Sequence, residues 1–563
     1  MSRTKEALNA VCHAILFGVI IGIISAIGAH YFKIGILQLS VVIDHSLTEL
    51  SSFLLYFISL SLAASLVYSL KRCSRINRFE GPADSIYAAH RLDNELNVKN
   101  GIVSTLAAFI SAAGGASVGQ YGPIVHFGAT IGAWLKRRFT TEISTDVFIG
   151  CGVAGAISSG FGAPIAGVIF AHEAITRHFS LKAITPIAIS SGIAFVVTEH
   201  FWGSTSPLIQ MVALSNLSFN ITVIATIFTA PLFGLCAVAF MVSLENCNAL
   251  SQRLKVNQFT KTFVAIIILS LIGSSVPHVM GLGTSVISNT IEGNYGLIFL
   301  AFMLVGKLLA TSVSLSFGFF GGIFSPALFL GATLGAIIAH VFNSLGFLEV
   351  SYPAFVISGM ASVSGAVIGA PLAAVLIVFE LTQSYSLSLA ALVSVVIAVL
   401  VSDKFYGHSY FDRQLKKRGI DLSDGRSGLL LMEKKIIEYA SQDAVHLKPD
   451  CTVQDALSKL TEKNTTEAYF TDHDKKYIGK LELLKILDVE AASHAVVYSD
   501  KHAVTLKHDA SLQQAIEVAA NFVGETIPII ERSTNKLRGV VTEGDIFKAY
   551  LELQTKIIDL ERK

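Results

Sequence analysis

The chain has 563 residues, of which 52% are hydrophobic and only 15% are charged, and its formal net charge is +1. Proteins that bind nucleic acids usually carry a strongly basic surface. The nearly neutral net charge of this chain therefore gives no indication of a nucleic-acid partner. The charge is uneven, since about 40 charged residues follow residue 430. The six cysteines lack CxxC spacing, so we expect reduced, buried thiols and no metal site.

The part before residue 430 consists of long uncharged runs. Each can cross a hydrocarbon core, which requires about 20 apolar residues. The first run has no small-residue cleavage site, so we interpret it as a membrane segment and not as a signal peptide. The sequence therefore predicts a polytopic α-helical membrane protein with a soluble tail. The uncharged runs cover 7–32, 51–70, 101–135, 147–172, 200–244, 262–291, 308–348 and 350–379.

Basic clusters predict the orientation. They occur at Arg3–Lys5, 71–78, 136–138 and 413–419, and the charged tail follows the last one directly. By the positive-inside rule this cluster and the tail lie in the cytoplasm. We therefore predict a multi-pass protein of the cell membrane, the inner membrane in a Gram-negative cell, with both termini cytoplasmic.

The apolar part contains an internal repeat. "GQYGPIVHFGATIG" (119–132) returns as "GIFSPALFLGATLG" (322–335), and "GAPIAGVIFAHE" (162–173) returns as "GAPLAAVLIVFE" (369–380). Gly/Pro-interrupted apolar segments at matching positions indicate a transporter whose site lies where two halves meet. Close helix packing explains many of the glycines. The predicted membrane domain is 1–425, with halves of about 1–205 and 206–425.

The repeated prolines predict helices that begin inside the membrane. Pro123 and Pro326 each follow a Gly-rich loop, and Pro82 opens a third helix of this kind. Proline suits the first turn of a helix, where free N–H groups and the positive dipole end favour an anion. We interpret the matching acids Glu173 and Glu380 as acceptors for helix ends and not as transport groups.

These segments resemble the CLC chloride channel and transporter family. "GKLLATSVSLSFGFFGGIFSPALFLGA" (306–332) is similar to its G-K-x-x-x-T and G-x-F-x-P signature, "GQYGP" to its G-[KR]-E-G-P element, and "FELTQSYSL" (379–387) to its F-E-L-T element. The resemblance, to the bacterial type with tandem CBS domains, implies two inverted repeats, broken helices and a homodimer with one anion pathway per subunit. It also implies transport of chloride or another small anion across the bilayer, no enzyme activity, no bound metal and no required cofactor.

Carried over residue by residue, the resemblance assigns an anion pathway. Tyr121 occupies the position of the gating glutamate, Ala174 that of the inner proton-transfer glutamate, and Phe411 that of the anion-coordinating tyrosine. The implied pathway residues are Gly119, Gln120, Tyr121, Gly122, Gly322, Ile323, Phe324, Phe411, Glu80 and Lys307.

Tyr121 decides the predicted mode of transport. A phenol titrates near pH 10, so it cannot exchange protons near neutral pH as a glutamate with a modestly raised pKa can. With Ala174 also lacking a carboxylate, we predict a channel or uncoupled anion transporter. The alternative is a proton-coupled chloride antiporter with unconventional carriers, for which His126 is a candidate, although a lone histidine is more often a hydrogen-bonded core residue. Tyr121 could also be an aromatic residue that only fills space.

Two charged pathway residues have alternative explanations. Glu80 would repel chloride unless it is protonated or turned toward the basic segment 71–78. Lys307 can draw anions toward the inner mouth, or it can be a snorkelling lysine at a helix end. A cation carrier would need several membrane carboxylates at the site, and Glu80 is the one near a broken helix. An intramembrane enzyme would need a nucleophile–base pair, which the apolar segments lack.

The tail, 426–563, contains a second repeat. "AVHLKPDCTVQDAL" (444–457) returns as "AVTLKHDASLQQAI" (503–516). It resembles an α/β tandem of CBS domains, at about 436–492 and 495–556. Thr542 and Asp545 match the T-x-x-D pattern that contacts ribose, whereas the first copy has Glu482 and Lys485. The resemblance implies at most one adenine-nucleotide site, and a purely structural module is the alternative.

Overall fold

The computed structural model describes residues 2–46, 50–91, 93–178, 181–203, 219–346, 351–423 and 425–562. It divides into a membrane unit that ends at Ile420 and a tail unit from Asp421 to Arg562, against a predicted boundary at 425/426. The predicted junction of the two halves, near 205, falls within 204–218 and so lies outside the described residues. The cysteines are free, but Cys12 and Cys73 are exposed, so the expectation of buried thiols is wrong for these two.

The membrane unit is helical throughout its described part. Eight of its described helices are long and apolar enough to cross a membrane, and a π-helical turn, Ala171–Thr176, continues α7. The helices are α1 (Ser2–Ser46), α2 (Ser52–Ser74), α3 (Pro82–His90), α4 (Val98–Ala113), α5 (Tyr121–Arg138), α6 (Thr145–Phe161), α7 (Pro164–Phe170), α8 (Leu181–Trp202), α9 (Phe219–Arg253), α10 (Gln258–Ser275), α11 (Thr284–Ile291), α12 (Leu297–Phe317), α13 (Phe324–Leu345), α14 (Tyr352–Ile368), α15 (Pro371–Thr382), α16 (Tyr385–Phe405) and α17 (Tyr410–Lys416).

The sequence repeat is a structural repeat. Helices α5, α6 and α7 in the first half correspond to α13, α14 and α15 in the second. Gly128 faces Gly152 across α5 and α6, and Gly331 faces Gly359 across α13 and α14, so closely that a Cβ on any of them would overlap the opposite carbonyl oxygen. Small residues let each helix pair approach at backbone distance, which confirms packing as one use of the glycines.

Glu173 and Glu380 tie the two halves together. The Glu173 carboxylate accepts the amides of Leu372 and Ala373 at 2.9 and 2.8 Å, at the start of α15. Glu380 does the same for the start of α7, accepting two amides at 2.8 and 2.7 Å. Each carboxylate thus neutralises the positive end of the opposite half's helix. The prediction that these acids are acceptors for helix ends is confirmed.

The tail unit contains two copies of one small α/β motif. In each copy the first strand pairs parallel to the second, and the second pairs antiparallel to the third. A buried apolar core fills the first copy around Leu447, Phe470 and Leu481. The elements are α18 (Gly425–Glu433), β1 (Val445–Leu447), α19 (Val453–Lys463), β2 (Glu467–Thr471), β3 (Tyr477–Glu482), β4 (Leu506–Lys507), α20 (Leu512–Ala519), β5 (Thr526–Ile530), β6 (Leu537–Thr542) and α21 (Glu543–Arg562).

Candidate anion site

The loops before α5 and α13 are joined by two backbone hydrogen bonds. The Gly119 amide donates to the Gly322 carbonyl at 2.7 Å, and the Gly322 amide donates back to the Gly119 carbonyl at 2.8 Å. A Cβ on Gly119 would lie 2.8 Å from the Gly322 oxygen, so this approach requires glycine. Gly119, one of the implied pathway residues, therefore uses its amide in the contact between the two loops, and this amide is not free to donate to an anion.

The helix starts next to this junction present free amides. Each helix makes its first internal backbone bond only after its proline, at Ile124 in α5 and at Ala327 in α13. Such unpaired N–H groups, at the positive end of a helix dipole, can bind an anion. Among the described residues, no hydrogen-bond acceptor is paired with the amides of Tyr121, Gly122, Ile323 and Phe324.

The Tyr121 ring belongs to an aromatic cluster, which we define as Tyr121, Phe161 and Phe324. Tyr121 stacks on Phe161 with ring centroids 3.7 Å apart and meets Phe324 edge to face at 5.6 Å. Phe161 and Phe324 are also edge to face, at 5.2 Å. The Tyr121 side chain is 3% exposed, so its ring is packed inside the protein at the start of α5. Phe161, from the end of α6, is a member that the sequence did not reveal.

The third helix start, that of α3, is adjacent but is already neutralised. A Cβ on Gly122 would lie 3.5 Å from the Pro82 ring. The Asp84 carboxylate accepts from the Gly81 amide at 2.9 Å, and it pairs with Arg78 at 2.5 Å and Arg418 at 2.8 Å. The prediction of a third free helix start is corrected, because Asp84 occupies it.

The side-chain hydrogen bond of Glu80 goes to α4 and not to the segment 71–78. Its carboxylate accepts from the Asn100 side chain on α4 at 2.7 Å, and its own amide donates to Ser104 at 2.8 Å. The acid that pairs with the basic segment is Asp84, through Arg78. The sequence signal for Asp84 was an acid three residues after the helix-starting glycine.

Lys307 is wholly buried within the unit. Its ammonium donates to the Val279 and Gly281 carbonyls, both at 3.0 Å, and lies over the Phe329 ring at 5.1 Å. Its exposure is 0%, so it neither snorkels nor presents its charge at a mouth. The predicted anion-attracting role is corrected: Lys307 holds the loop before α11 in place.

The two remaining positions lie on other elements. Ala174 is buried in the π-helical turn after α7. Phe411 is buried on α17, which packs against α3 and α14 and makes an ion pair from Asp412 to Arg177 at 2.6 Å. Neither side chain supplies a proton carrier.

His126 and Ser85 form a buried polar pair between α5 and α3. The Ser85 hydroxyl lies 2.7 Å from His126 Nδ1, and His126 is 0% exposed. Its Nε2 has no hydrogen-bond partner among the described residues. The pair couples α3 to α5.

The sequence pattern of the family described as voltage gated chloride channel matches residues 63–403. The chain belongs to this CLC family. Members of the family are channels and transporters and not enzymes, and the matched region contains all of the repeated helices. The CBS domain pattern matches residues 496–552, which is the second copy of the tail motif.

Two relatives of this CLC chain come from bacteria. The putative chloride channel protein ClcB-like of Ralstonia nicotianae is 26% identical over 365 residues, 63% of this chain and 83% of that protein. The voltage-gated ClC-type chloride channel ClcB of Citrobacter koseri is 26% identical over 342 residues, 60% of this chain and 81% of its own.

Solved CLC structures share the fold. A slow cyanobacterial Cl−/H+ antiporter superposes with a TM-score of 0.62 at 22% identity, covering 73% of this chain and 97% of the antiporter. A eukaryotic CLC transporter gives a TM-score of 0.61 at 17% identity, covering 95% of this chain and 98% of the transporter. At these identities the likeness establishes the CLC architecture alone.

The predicted nucleotide-contacting pair of the CBS tail is engaged in a helix cap. The Asp545 carboxylate accepts from the Thr542 amide at 3.0 Å and from its hydroxyl at 2.7 Å, and the Asp545 amide donates to that hydroxyl at 3.0 Å. These bonds fix the start of α21. A nucleotide at this site would share the carboxylate with the cap.

Proposed function

We propose that this CLC chain moves chloride or another small anion passively across the cell membrane, as a homodimer with both termini in the cytoplasm. The observation that supports this most is the Tyr121 ring, buried against Phe161 and Phe324 at the start of α5. At that position the resemblance implies the gating glutamate of the family. A neutral ring there can obstruct an anion, but it does not titrate near neutral pH.

The proposed path runs between the helix starts of α5 and α13. The free amides of Tyr121, Gly122, Ile323 and Phe324 supply donors without a fixed positive charge. A permeating anion must also be able to leave, and a Lys or Arg side chain would hold it too tightly. Lys307, with both carbonyl partners in place, is consistent with such a path.

Uncoupled transport follows from two missing carboxylates. Tyr121 and Ala174 stand at the positions of the outer and inner proton carriers that the resemblance implies, and neither can carry a proton at neutral pH. A second candidate function, proton-coupled antiport, is favoured by the buried His126–Ser85 pair. In that case His126 would be the carrier, and His126→Gln would abolish proton movement while Tyr121 variants would not.

Flux measurements on reconstituted protein test the proposal. Purified full-length protein in chloride-loaded vesicles is expected to release chloride when a potassium ionophore removes the charge imbalance. No proton accumulation against a gradient should accompany it. Proton movement driven uphill by a chloride gradient at a fixed stoichiometry would reject the uncoupled mode. Absence of any anion release would reject anion transport itself.

For the tail we propose one adenine-nucleotide site at Thr542 and Asp545. The support is the T-x-x-D pattern, placed where β6 passes into α21. Calorimetry with ATP and AMP tests binding, and an absence of heat in the full-length protein would leave the tail as a structural module.

A further inference from the structure

Gln120, directly before α5, is a buried amide side chain without a partner. Its exposure is 1%, and neither Oε1 nor Nε2 finds a hydrogen-bond partner among the described residues. The Tyr121 side chain lies beside it, and because Nε2 carries two N–H groups, a contact with the Tyr121 hydroxyl would still leave one N–H and the Oε1 oxygen free. Its backbone amide donates to the Ser325 hydroxyl at 3.3 Å, so Gln120 lies where the two helix starts meet.

A buried amide that leaves both polar atoms unpaired is costly, and such groups in native proteins call for a ligand or another specific reason. A purely structural residue here would be better as leucine or methionine. The Gln120 side chain offers one NH2 donor group and one acceptor oxygen side by side. Rotating the amide by half a turn exchanges the positions of the two groups, but one donor and one acceptor are present in either orientation.

We propose that Gln120 is a specificity-determining residue that selects a monovalent oxyanion carrying one proton, with hydrogencarbonate as the simplest member. This inference rests on the proposed passage of anions between α5 and α13. A charged oxygen of hydrogencarbonate would accept from Nε2, and its O–H would donate to Oε1. The free backbone N–H groups of Tyr121 and Phe324 would stabilise the negative charge on the other oxygens of hydrogencarbonate.

Other small anions form a hydrogen bond with only one of the two polar groups of the Gln120 side chain. Chloride can accept from Nε2 but leaves Oε1 unpaired. Nitrate has the same planar, three-oxygen shape as hydrogencarbonate but no O–H, so it also leaves Oε1 unpaired. The difference between the two oxyanions is one hydrogen bond, which corresponds to a preference of roughly 2- to 10-fold.

The experiment compares hydrogencarbonate with nitrate on full-length protein. Reversal potentials in planar bilayers, with one anion on each side, give the permeability ratio without interference from the diffusion of uncharged CO2. Thermal unfolding of the detergent-solubilised protein in each sodium salt, at equal ionic strength and pH, gives relative binding if currents are small. We expect hydrogencarbonate to be preferred by roughly 2- to 10-fold over nitrate and to shift the unfolding midpoint upward more.

Gln120→Met keeps the shape of the side chain and removes both polar atoms. It should bring the hydrogencarbonate-to-nitrate ratio close to one in both measurements, and the matched control Gln252→Met, on the exposed end of α9, should not change it. An equal response of the native protein to both oxyanions overturns the inference, as does a preference that survives in Gln120→Met. Either result, with chloride flux intact, leaves the proposed anion transport standing.

Discussion

Tyr121 and Phe324 begin the two matching helices, and their rings meet edge to face between the halves. The two inverted halves therefore each contribute one aromatic ring at the same register position. The Phe161 ring stacks on Tyr121 from α6 and fixes its orientation. Offset and edge-to-face aromatic pairs contribute about 0.5–1.5 kcal/mol each beyond burial, so the aromatic cluster is held together by packing and not by charge.

Removing the tyrosine ring is expected to raise anion flux. Tyr121→Ala deletes the stacked ring beside the free amides and should increase chloride efflux from vesicles several-fold. Tyr121→Phe keeps the stacking and should change flux much less. Because a buried aromatic-to-alanine change costs about 3–5 kcal/mol, size-exclusion profiles must show that the variant is folded.

The control is Tyr68→Ala, which removes a 53% exposed ring from α2 and should leave efflux unchanged. Unaltered efflux and selectivity in Tyr121→Ala would mean that the ring lies outside the anion path.

Single positions were predictable where the repeat or a local pattern identified them. The sequence repeat aligned Tyr121 with Phe324, and in the structure the two rings are in contact. Phe161 could not be found, because it reaches the cluster from a different helix and no local pattern marks it. Lys307 shows a further limit: its charge was visible in the sequence, but the two carbonyls that hold it depend on tertiary folding.

At the level of elements, the reciprocal helix caps bind the halves more specifically than apolar packing does. Glu173 and Glu380 each accept hydrogen bonds from two backbone amides at the start of a helix in the other half. Sequence position predicted a capping role, but the exchange of partners between halves follows only from the inverted packing, which places the end of α7 beside the start of α15.

Loss of one cap should lower stability measurably. Glu380→Gln keeps the shape of the side chain but replaces one acceptor oxygen with a donor that faces an amide N–H. We expect a loss of about 1–3 kcal/mol, seen as a lower midpoint in thermal unfolding of the detergent-solubilised protein. Glu292→Gln, on an exposed loop with a contact to Asn294, is the control. An unchanged midpoint for Glu380→Gln would show that water replaces the cap.

In the tail, a buried ion pair joins the two copies of the motif. Lys480 on β3 lies 2.6 Å from Glu467 on β2, and the exposed fractions of their side chains are only 4% and 6%. Glu467 also accepts from the Thr526 amide at 2.8 Å, on β5 of the second copy. Burial of Glu467 opposes its ionisation, but the Lys480 ammonium and the Thr526 hydroxyl hold its pKa below its usual range.

This pair predicts acid sensitivity of the tail. A depressed carboxyl pKa contributes stability that is fully present above the usual value of about 4.3 and is lost as the pH falls through the lower, folded-state value. Proteolysis of β2 and β3 should therefore accelerate below about pH 4. In Glu467→Gln this pH dependence should be weaker.

Breaking the ion pair from the other side should be more damaging. Lys480→Met leaves the Glu467 carboxylate buried without its cation, at an expected cost of about 3–5 kcal/mol. The surface variant Lys501→Met serves as the control. Equal proteolysis rates for native protein and Lys480→Met at neutral pH would show that the pair contributes no net stability.

For the whole molecule, composition and repeats predicted the division into a helical membrane unit and an α/β tail, because burial in lipid and burial in a small soluble core leave different patterns of charge. The placement of the boundary was less certain in the sequence. Five of the residues from 413 to 423 are charged, yet α17 packs against α3 and α14 and belongs to the membrane unit, which ends five residues before the predicted boundary.

The proposed nucleotide site of the tail includes Asp545, which also caps α21. Asp545→Asn retains an oxygen that can accept from the Thr542 amide, so the helix start should survive, while the charge near a ribose is lost. We expect the affinity for an adenine nucleotide to fall about 10-fold or more, as for a charge-assisted hydrogen bond worth about 1.5–3 kcal/mol. Lys485→Met, in the first copy, is the control, and equal affinities in calorimetry would place the nucleotide elsewhere.

Coupling an anion to a proton requires titratable groups at both ends of a path, so it is a property of the whole transport unit. Tyr121→Glu restores one carboxylate at the start of α5, next to the free amides, where a deprotonated side chain competes with the anion. Anion flux in this variant should therefore rise as the pH falls toward the carboxyl pKa, unlike flux in the native protein. Ala174 still offers no inner proton acceptor, so a chloride gradient should drive no uphill proton movement. Parallel recordings of chloride efflux and vesicle pH check both parts. Coupled proton movement in Tyr121→Glu would reveal a carrier other than position 174, and His126, buried beside Ser85, would be the first residue to substitute.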